Sequence, residues 1–411
     1  MTNLKQQAFS VLAAGAMLLN VASPALAGTT TLEITGNGAN SNNEVDVEIE
    51  REVKVEQNND ADIDNDINVD SNTGENNANQ NGAGNVEIKT GDATTNVKVN
   101  NSVNSNVAEV DCCAGNDTTV KVSDNLSKSQ NTVYLDDKNE TKIDQDNDAD
   151  IDNDVDVDSE TGENYADDNI GGDVKIKTGK ADTTVTVSNN ANSNWARVGK
   201  GSSQGGSLTA LITGNGSESD NEIDLEFENE VEIDQDNDAD VDNDVDVDAE
   251  TGENGADDNG AGDVIIKTGD ANTDVTLDTL VNFNAADVNC GCLLDDVYAK
   301  IGMNLADSYN TIEAEFEEET EVDQDNDADV DNDVDVDAET GENDADDNIS
   351  GEDRDPSITT GNADATVEAN TAGNSNVFGD LDDLELDLPG GYSLDFSFDF
   401  GMFLDWLADQ G

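Results

Sequence analysis

The chain has 411 residues, with 97 acidic side chains against 17 basic ones and a formal net charge of -80. Such a polyanion repels the phosphate backbone of nucleic acids, and anionic membranes equally. It contains no histidine, so His-based triads, His-ligated zinc and the usual general-base chemistry near neutral pH are absent.

Residues 1–27 carry Lys5, an apolar run from Ala8 to Val21 and a small-residue end, Ala25-Leu26-Ala27, ahead of Gly28. This pattern predicts a secretory signal peptide, since the run is too short to span a bilayer and nothing later is long enough. The expected mature chain is exported, secreted or held at the cell surface, without membrane insertion.

The rest is repetitive. One segment begins at Gln57 (QNNDADIDNDINVD), Gln145 (QDNDADIDNDVDVD), Gln235 and Gln324 (both QDNDADVDNDVDVD), at spacings of 88, 90 and 89 residues. Each copy enters a turn-like TGEN at Thr73, Thr161, Thr251 or Thr340. The first three then pass through a Gly-rich stretch into KTGD or KTGK, where the fourth has Thr359-Thr360-Gly361-Asn362. Upstream lies a second shared pattern: Asn37/Ser41/Asn43, Asn125/Ser129/Asn131, Asn215/Ser219/Asn221 and Asn304/Ser308/Asn310. Copies 1 and 3 share ITGNG here, whereas copies 2 and 4 have Asn-Leu, so the larger period is a pair of repeats. The expected division is residues 28–118, 119–206, 207–295 and 296–379 for the repeats and 380–411 for a tail.

Within copy 3 every even position from Asp224 to Glu250 is acidic, while odd positions carry Ile223, Leu225, Phe227, Val231, Ile233, Val241, Val245 and Val247. A two-residue period with branched aliphatics on one side is a strand signal. It specifies an inside, which a merely solvating acidic tail has no need of. Strands usually run about 3 to 10 residues, so the pattern predicts short strands turning at Gln235, Asn237 and Asn243. The expected fold is all-β, four tandem repeats of ~89 residues, as a β-solenoid in preference to sandwich-like domains.

Carboxylates on one strand face recur about every 7 Å, and neighbouring strands lie about 5 Å apart, so their repulsion needs compensation. Hard cations with six to eight oxygen ligands suit a chain rich in carboxylates and amide carbonyls, which makes Ca2+ the expected cofactor. The candidate metal residues are Asp144, Asp146, Asp148, Asp150, Asp152 and Asp154 in copy 2. Copy 3 adds Asp234, Asp236, Asp238, Asp240, Asp242 and Asp244, and copy 4 adds Asp323, Asp325, Asp327, Asp329, Asp331 and Asp333. Copy 1 replaces acids with Asn59 and Asn68 and is expected to bind most weakly. An EF-hand is rejected, because Ala239 stands where the turn Gly belongs and Val245 where the bidentate Glu belongs.

Four cysteines, Cys112, Cys113, Cys290 and Cys292, follow copies 1 and 3 and are disulfide candidates in an exported protein, with pairing left open between local bridges and bridges between repeats or protomers. The tail from Asp380 gathers Tyr392, Phe396, Phe398, Phe400, Phe403 and Trp406. A strand and short helix capping the last repeat is the preferred expectation, and an assembly strand for a neighbouring protomer the alternative.

At KTGDA (Lys89–Ala93 and Lys267–Ala271) and NSN (Asn104–Asn106, Asn192–Asn194, Asn374–Asn376) the chain resembles uncharacterised secreted bacterial Asn/Thr/Gly-rich tandem-repeat surface proteins. The resemblance implies a surface or extracellular placement and carries over no active or binding residues. The expected function is a non-catalytic structural or adhesive surface protein stiffened by calcium. The rivals are a cation-buffering or mineral-binding protein, or an extracellular protein adapted to high salt without specific ion sites. Divalent cations are the expected partners, with self-association or other cell-surface components beside them.

Overall fold

A computed structural model describes residues 7–14, 17–21, 29–110, 117–199, 206–260, 262–289, 294–349, 356–379, 384–387 and 393–396. The described residues are all-β, without a helix. Strands β1 (Gln7–Ala14) and β2 (Met17–Val21) precede the repeats. Repeat 1 contributes β3 (Thr29–Thr35), β4 (Asn42–Asn72), β5 (Val86–Lys89) and β6 (Ala93–Val110). Repeat 2 contributes β7 (Asp117–Ser123), β8 (Gln130–Glu160), β9 (Val174–Lys177) and β10 (Ala181–Val198). Repeat 3 supplies β11 (Gly206–Thr213), β12 (Asp220–Glu250), β13 (Val264–Lys267) and β14 (Ala271–Val288). Repeat 4 supplies β15 (Leu294–Gly302), β16 (Tyr309–Glu339), β17 (Ser357–Thr359) and β18 (Ala363–Phe378), and β19 (Leu384–Asp387) and β20 (Ser393–Phe396) follow.

Every repeat places one strand in each of four sheets, whose orders are β16-β12-β8-β4, β18-β14-β10-β6, β15-β11-β7-β3 and β17-β13-β9-β5. All pairings between repeats are parallel and join equivalent residues, as in Asp144↔Asp234↔Asp323. The spacings of 88, 90 and 89 residues read from the sequence are therefore the lengths of chain needed to come back beneath the same residue. Two further strands, β1 and β2, lie parallel on the outer edge of β6, while β19 and β20 pair with each other in antiparallel fashion.

The longest sheet organises the rest. Its strands β4, β8, β12 and β16 are 31 residues each and unbroken, which overturns the expected short strands turning at Gln235, Asn237 and Asn243. Those amides lie inside the strand because identical neighbours above and below satisfy their polar groups. Gln235 Nε2 donates to Gln145 Oε1 at 2.7 Å, Asn237 Nδ2 to Asn326 Oδ1 at 2.8 Å and Asn243 Nδ2 to Asn332 Oδ1 at 2.7 Å. A buried amide that would cost stability unpaired becomes a specific bond when stacked on its own kind.

The first half of the long strand packs Val133, Leu135, Ile223 and Leu225 against Val120, Val122, Leu208 and Ile212 of the β7–β11 layer. The second half packs Val155, Val157, Val245 and Val247 against Val185, Val187, Val275 and Leu277 of β10 and β14. Between these apolar clusters, Asn147 and Asn237 bond across the layer to Asn194 and Asn284. Small branched side chains suffice because the two layers are held at close range by these amides as well as by apolar contact.

Left-handed backbone falls instead at the first Asn of the NSN-type turns, Asn104, Asn192, Asn282 and Asn374, with φ from 55° to 59°. Asn is among the few residues that tolerate this region. The Asn192 and Asn282 amides then donate to the Asp238 and Asp327 carbonyls of the long sheet. The TGEN turns stack so closely that a Cβ on Gly162 would lie 2.0 Å from the Gly252 carbonyl oxygen. Only Gly fits there.

Asn237 links four other amides, accepting from Asn147 and Asn194 and donating to Asn284 and Asn326. Asn237→Leu is expected to cost about 3 kcal/mol in urea denaturation followed by circular dichroism, because its partners stay buried and lose their bonds. Asp238→Asn, one residue on and facing solvent, should raise stability in metal-free buffer by relieving repulsion.

Candidate metal centre

The period of two that sends Val and Asn inward sends every intervening Asp outward. All eighteen candidate carboxylates named above lie on the solvent face of the long sheet. Exact pairing stacks them into columns: Asp60–Asp148–Asp238–Asp327, Asp62–Asp150–Asp240–Asp329 and Asp64–Asp152–Asp242–Asp331. Flanking columns are Glu56–Asp144–Asp234–Asp323, Asn58–Asp146–Asp236–Asp325 and Asp66–Asp154–Asp244–Asp333. The same face continues through Asp158–Asp248–Asp337 to Glu160–Glu250–Glu339.

The replacements in copy 1 need correction. Asn59 pairs with Asn147 in an inward amide column, so it replaces no acid. The substitutions on the acidic face are Asn58, opposite Asp146, and Asn68, opposite Asp156. Their Nδ2 groups donate to those carboxylates at 3.4 and 3.1 Å, so the chain supplies part of the compensation itself at this end.

Elsewhere the face is divided. Its first half holds the basic residues: Lys138 reaches Glu228 at 3.2 Å and Glu230 at 3.3 Å, and Lys142 reaches Glu232 at 2.6 Å. On the inward side of the same half, Arg51 bonds to the buried Asp137. From Asp144 to Glu160, Asp234 to Glu250 and Asp323 to Glu339 no Lys or Arg occurs. Here burial, and then the neighbouring carboxylates, push several acids above the ordinary Asp range, among them Asp146, Asp148, Asp152, Asp234, Asp236 and Asp240. At the far end Glu160 and Glu250 are raised to about 7, chiefly by burial and next by Glu163 and Glu253 of the TGEN turns respectively.

An open trough of about 720 Å³ runs between two columns, lined by Asn58, Asp60, Asp146, Asp148, Asp236, Asp238, Asp325, Asn326 and Asp327. Strands about 4.8 Å apart bring stacked carboxylates to a separation that one cation, held at about 2.4 Å from each oxygen, spans. Water would fill the remaining positions of such a shell, since among the described residues no three acidic side chains converge into a ready-made cage. The arrangement suits many exchangeable cations better than one tightly enclosed ion. Cys112, Cys113, Cys290 and Cys292 lie outside the described residues, as do the aromatics from Phe398 onward.

No family model matches the chain, and no curated protein or solved structure is significantly similar to it. Among the described residues, no helix is long and apolar enough to cross a membrane.

The raised acids bind protons more tightly in the folded chain than in the unfolded one. Their contribution to stability is thus full below the unfolded carboxyl value and is lost as pH rises through the folded one. In chelator, the melting temperature should fall between about pH 4.5 and pH 7, the window set by Glu160 and Glu250. The double variant Glu160→Gln/Glu250→Gln should melt higher than the parent at pH 8 and show a flatter pH profile.

Proposed function

We propose that the chain is a non-catalytic, exported structural repeat protein, a β-solenoid whose aspartate face gathers divalent cations, calcium foremost. The observation that carries this reading is the exact stacking of like carboxylates along a half-sheet in which the chain supplies no Lys or Arg. Each column sums repulsion over four repeats, and a divalent cation between two members turns it into attraction. Cation binding therefore adds stiffness where the amide-filled interior adds specificity.

A structural role is supported by what the sites lack in shape as well as by what they hold in charge. The carboxylates form a regular, open array, whereas catalytic acids are set apart by unequal surroundings in an enclosed site. Many interior amides are engaged in ladders, for example Asn153 with Asn243 at 2.8 Å and Asn164 with Asn254 at 2.8 Å. The leader-like residues 1–27 support a surface location, and a long acidic face presented outward suits adhesion through shared cations.

Calcium titration tests the reading. Binding measured by calorimetry should be multivalent, and the melting temperature should climb with free calcium, each site adding about 2.7 kcal/mol at a hundredfold excess over its Kd. The triple variant Asp148→Asn/Asp238→Asn/Asp327→Asn should lower the number of ions bound while keeping the β spectrum. A melting temperature indifferent to both calcium and chelator would sink the proposal.

A further inference from the structure

The stack ends abruptly. Phe227 in repeat 3 is 3% exposed, whereas Phe316, stacked on it at 5.4 Å between ring centroids, is 47% exposed because no described residue covers its other face. Tyr309, Ile349 and Phe378 of repeat 4 are likewise exposed. Along the same rim β16 presents 31 residues of strand edge that no other described strand pairs, a template for another strand. The segment that follows in sequence is ill matched to it: β19 and β20 have four residues each and pair with one another.

The two ends are complementary rather than alike. Each ladder keeps one polarity through the stack: Asn65 Nδ2 donates to Asn153 Oδ1, Asn153 to Asn243 and Asn243 to Asn332, while the Gln ladder runs the other way, from Gln324 through Gln235 and Gln145 to Gln57. The Asn ladder from Asn43 through Asn131 and Asn221 to Asn310 has the polarity of the Asn65 ladder. Repeat 1 thus closes these two Asn ladders with a carbonyl and repeat 4 with an NH2. The sequence phase agrees: copies 1 and 3 share ITGNG and copies 2 and 4 share Asn-Leu, so repeat 4 followed by repeat 1 reproduces the junction between repeats 2 and 3.

We propose that repeat 4 of one molecule stacks on repeat 1 of a second copy, giving head-to-tail filaments in which the four sheets run on without interruption. A directional interface that does not close on itself generates an open fibre. The edge of β6 that this neighbour would occupy is taken by β1 and β2, with Gln7 opposite Thr95 and Met17 opposite Asn106. Residues 7–21 therefore act as an edge guard, and assembly begins once they are removed. The inference uses the stacking geometry and stands apart from the identity of any bound ion.

The test compares the full chain with the chain beginning at Gly28, in millimolar calcium and separately in molar sodium chloride, where screening reaches only about 3 Å. Electron microscopy and light scattering should show filaments from the Gly28 chain in at least one condition, advancing about 19 Å per four-repeat molecule, with the full chain monomeric. Ala271 donates to the Asn362 carbonyl, so in this parallel ladder Asp364 faces β14 and the N–H groups of Val367 and Thr371 point outward. Val367→Pro and Thr371→Pro, each with an unchanged β spectrum, should shorten filaments to monomers. The proposal is overturned if the Gly28 chain stays monomeric in both conditions, or if folded proline variants polymerise like the parent. It is equally overturned if deletion of residues 380–411 is what permits assembly, which would make the tail the occupant of this edge.

Discussion

Stacking of each residue on its own counterpart is the constraint from which the molecule follows. In-register parallel pairing places Asn on Asn, Val on Val and Asp on Asp, and the three outcomes differ in sign. Buried amides gain partners they could not find among other side chains, and aliphatics form continuous apolar columns. Carboxylates, by contrast, are forced together. The same geometry that specifies the interior loads the exterior, and the two cannot be separated by shifting the strands, since a one-residue slip would turn Val outward and Asp inward.

The division of labour along the long strand is a response to this load. Its first half interleaves Lys138 and Lys142 with Glu228, Glu230 and Glu232, so that part of the charge is compensated within the chain. The second half has no such partners. Exposed ion pairs contribute little to stability individually, so the consequence of the missing lysines is felt less as lost pairs than as uncompensated columns. Asn58 and Asn68 show one alternative, an amide donating to the stacked carboxylate, and it recurs outside the long sheet where Asn272 donates to Asp182 and Asn370 to Asp278.

Much of the architecture was legible in the sequence because it is periodic at two scales. The two-residue alternation gives the strand and its faces, and the 88- to 90-residue return gives the repeat. The length of the strands was not legible, since Gln235, Asn237 and Asn243 look like interruptions to a single strand read alone. Their partners are 89 or 90 residues away, and only stacking reveals that each satisfies the next. The same blindness placed Asn59 among lost acids, when parity assigns it to the interior and Asn58 to the face. The carboxylate columns follow directly from register, but the rise of Glu160 and Glu250 depends first on their burial at the strand end and then on the charges of Glu163 and Glu253 in the TGEN turns, which alternation does not encode.

The unbroken 31-residue strand also limits how the molecule can change over time. Because each of its positions is matched to the same position in the layers on either side, a single codon inserted or deleted within this strand would invert the faces of the remainder of that strand. Duplication or loss of an entire copy leaves every pairing intact. Size is therefore free to vary in whole layers, and gain or loss of two at once preserves even the alternation of ITGNG and Asn-Leu copies. A protein of this build lengthens by recombination between its own near-identical stretches, with each duplication adding another complete tier to an existing order.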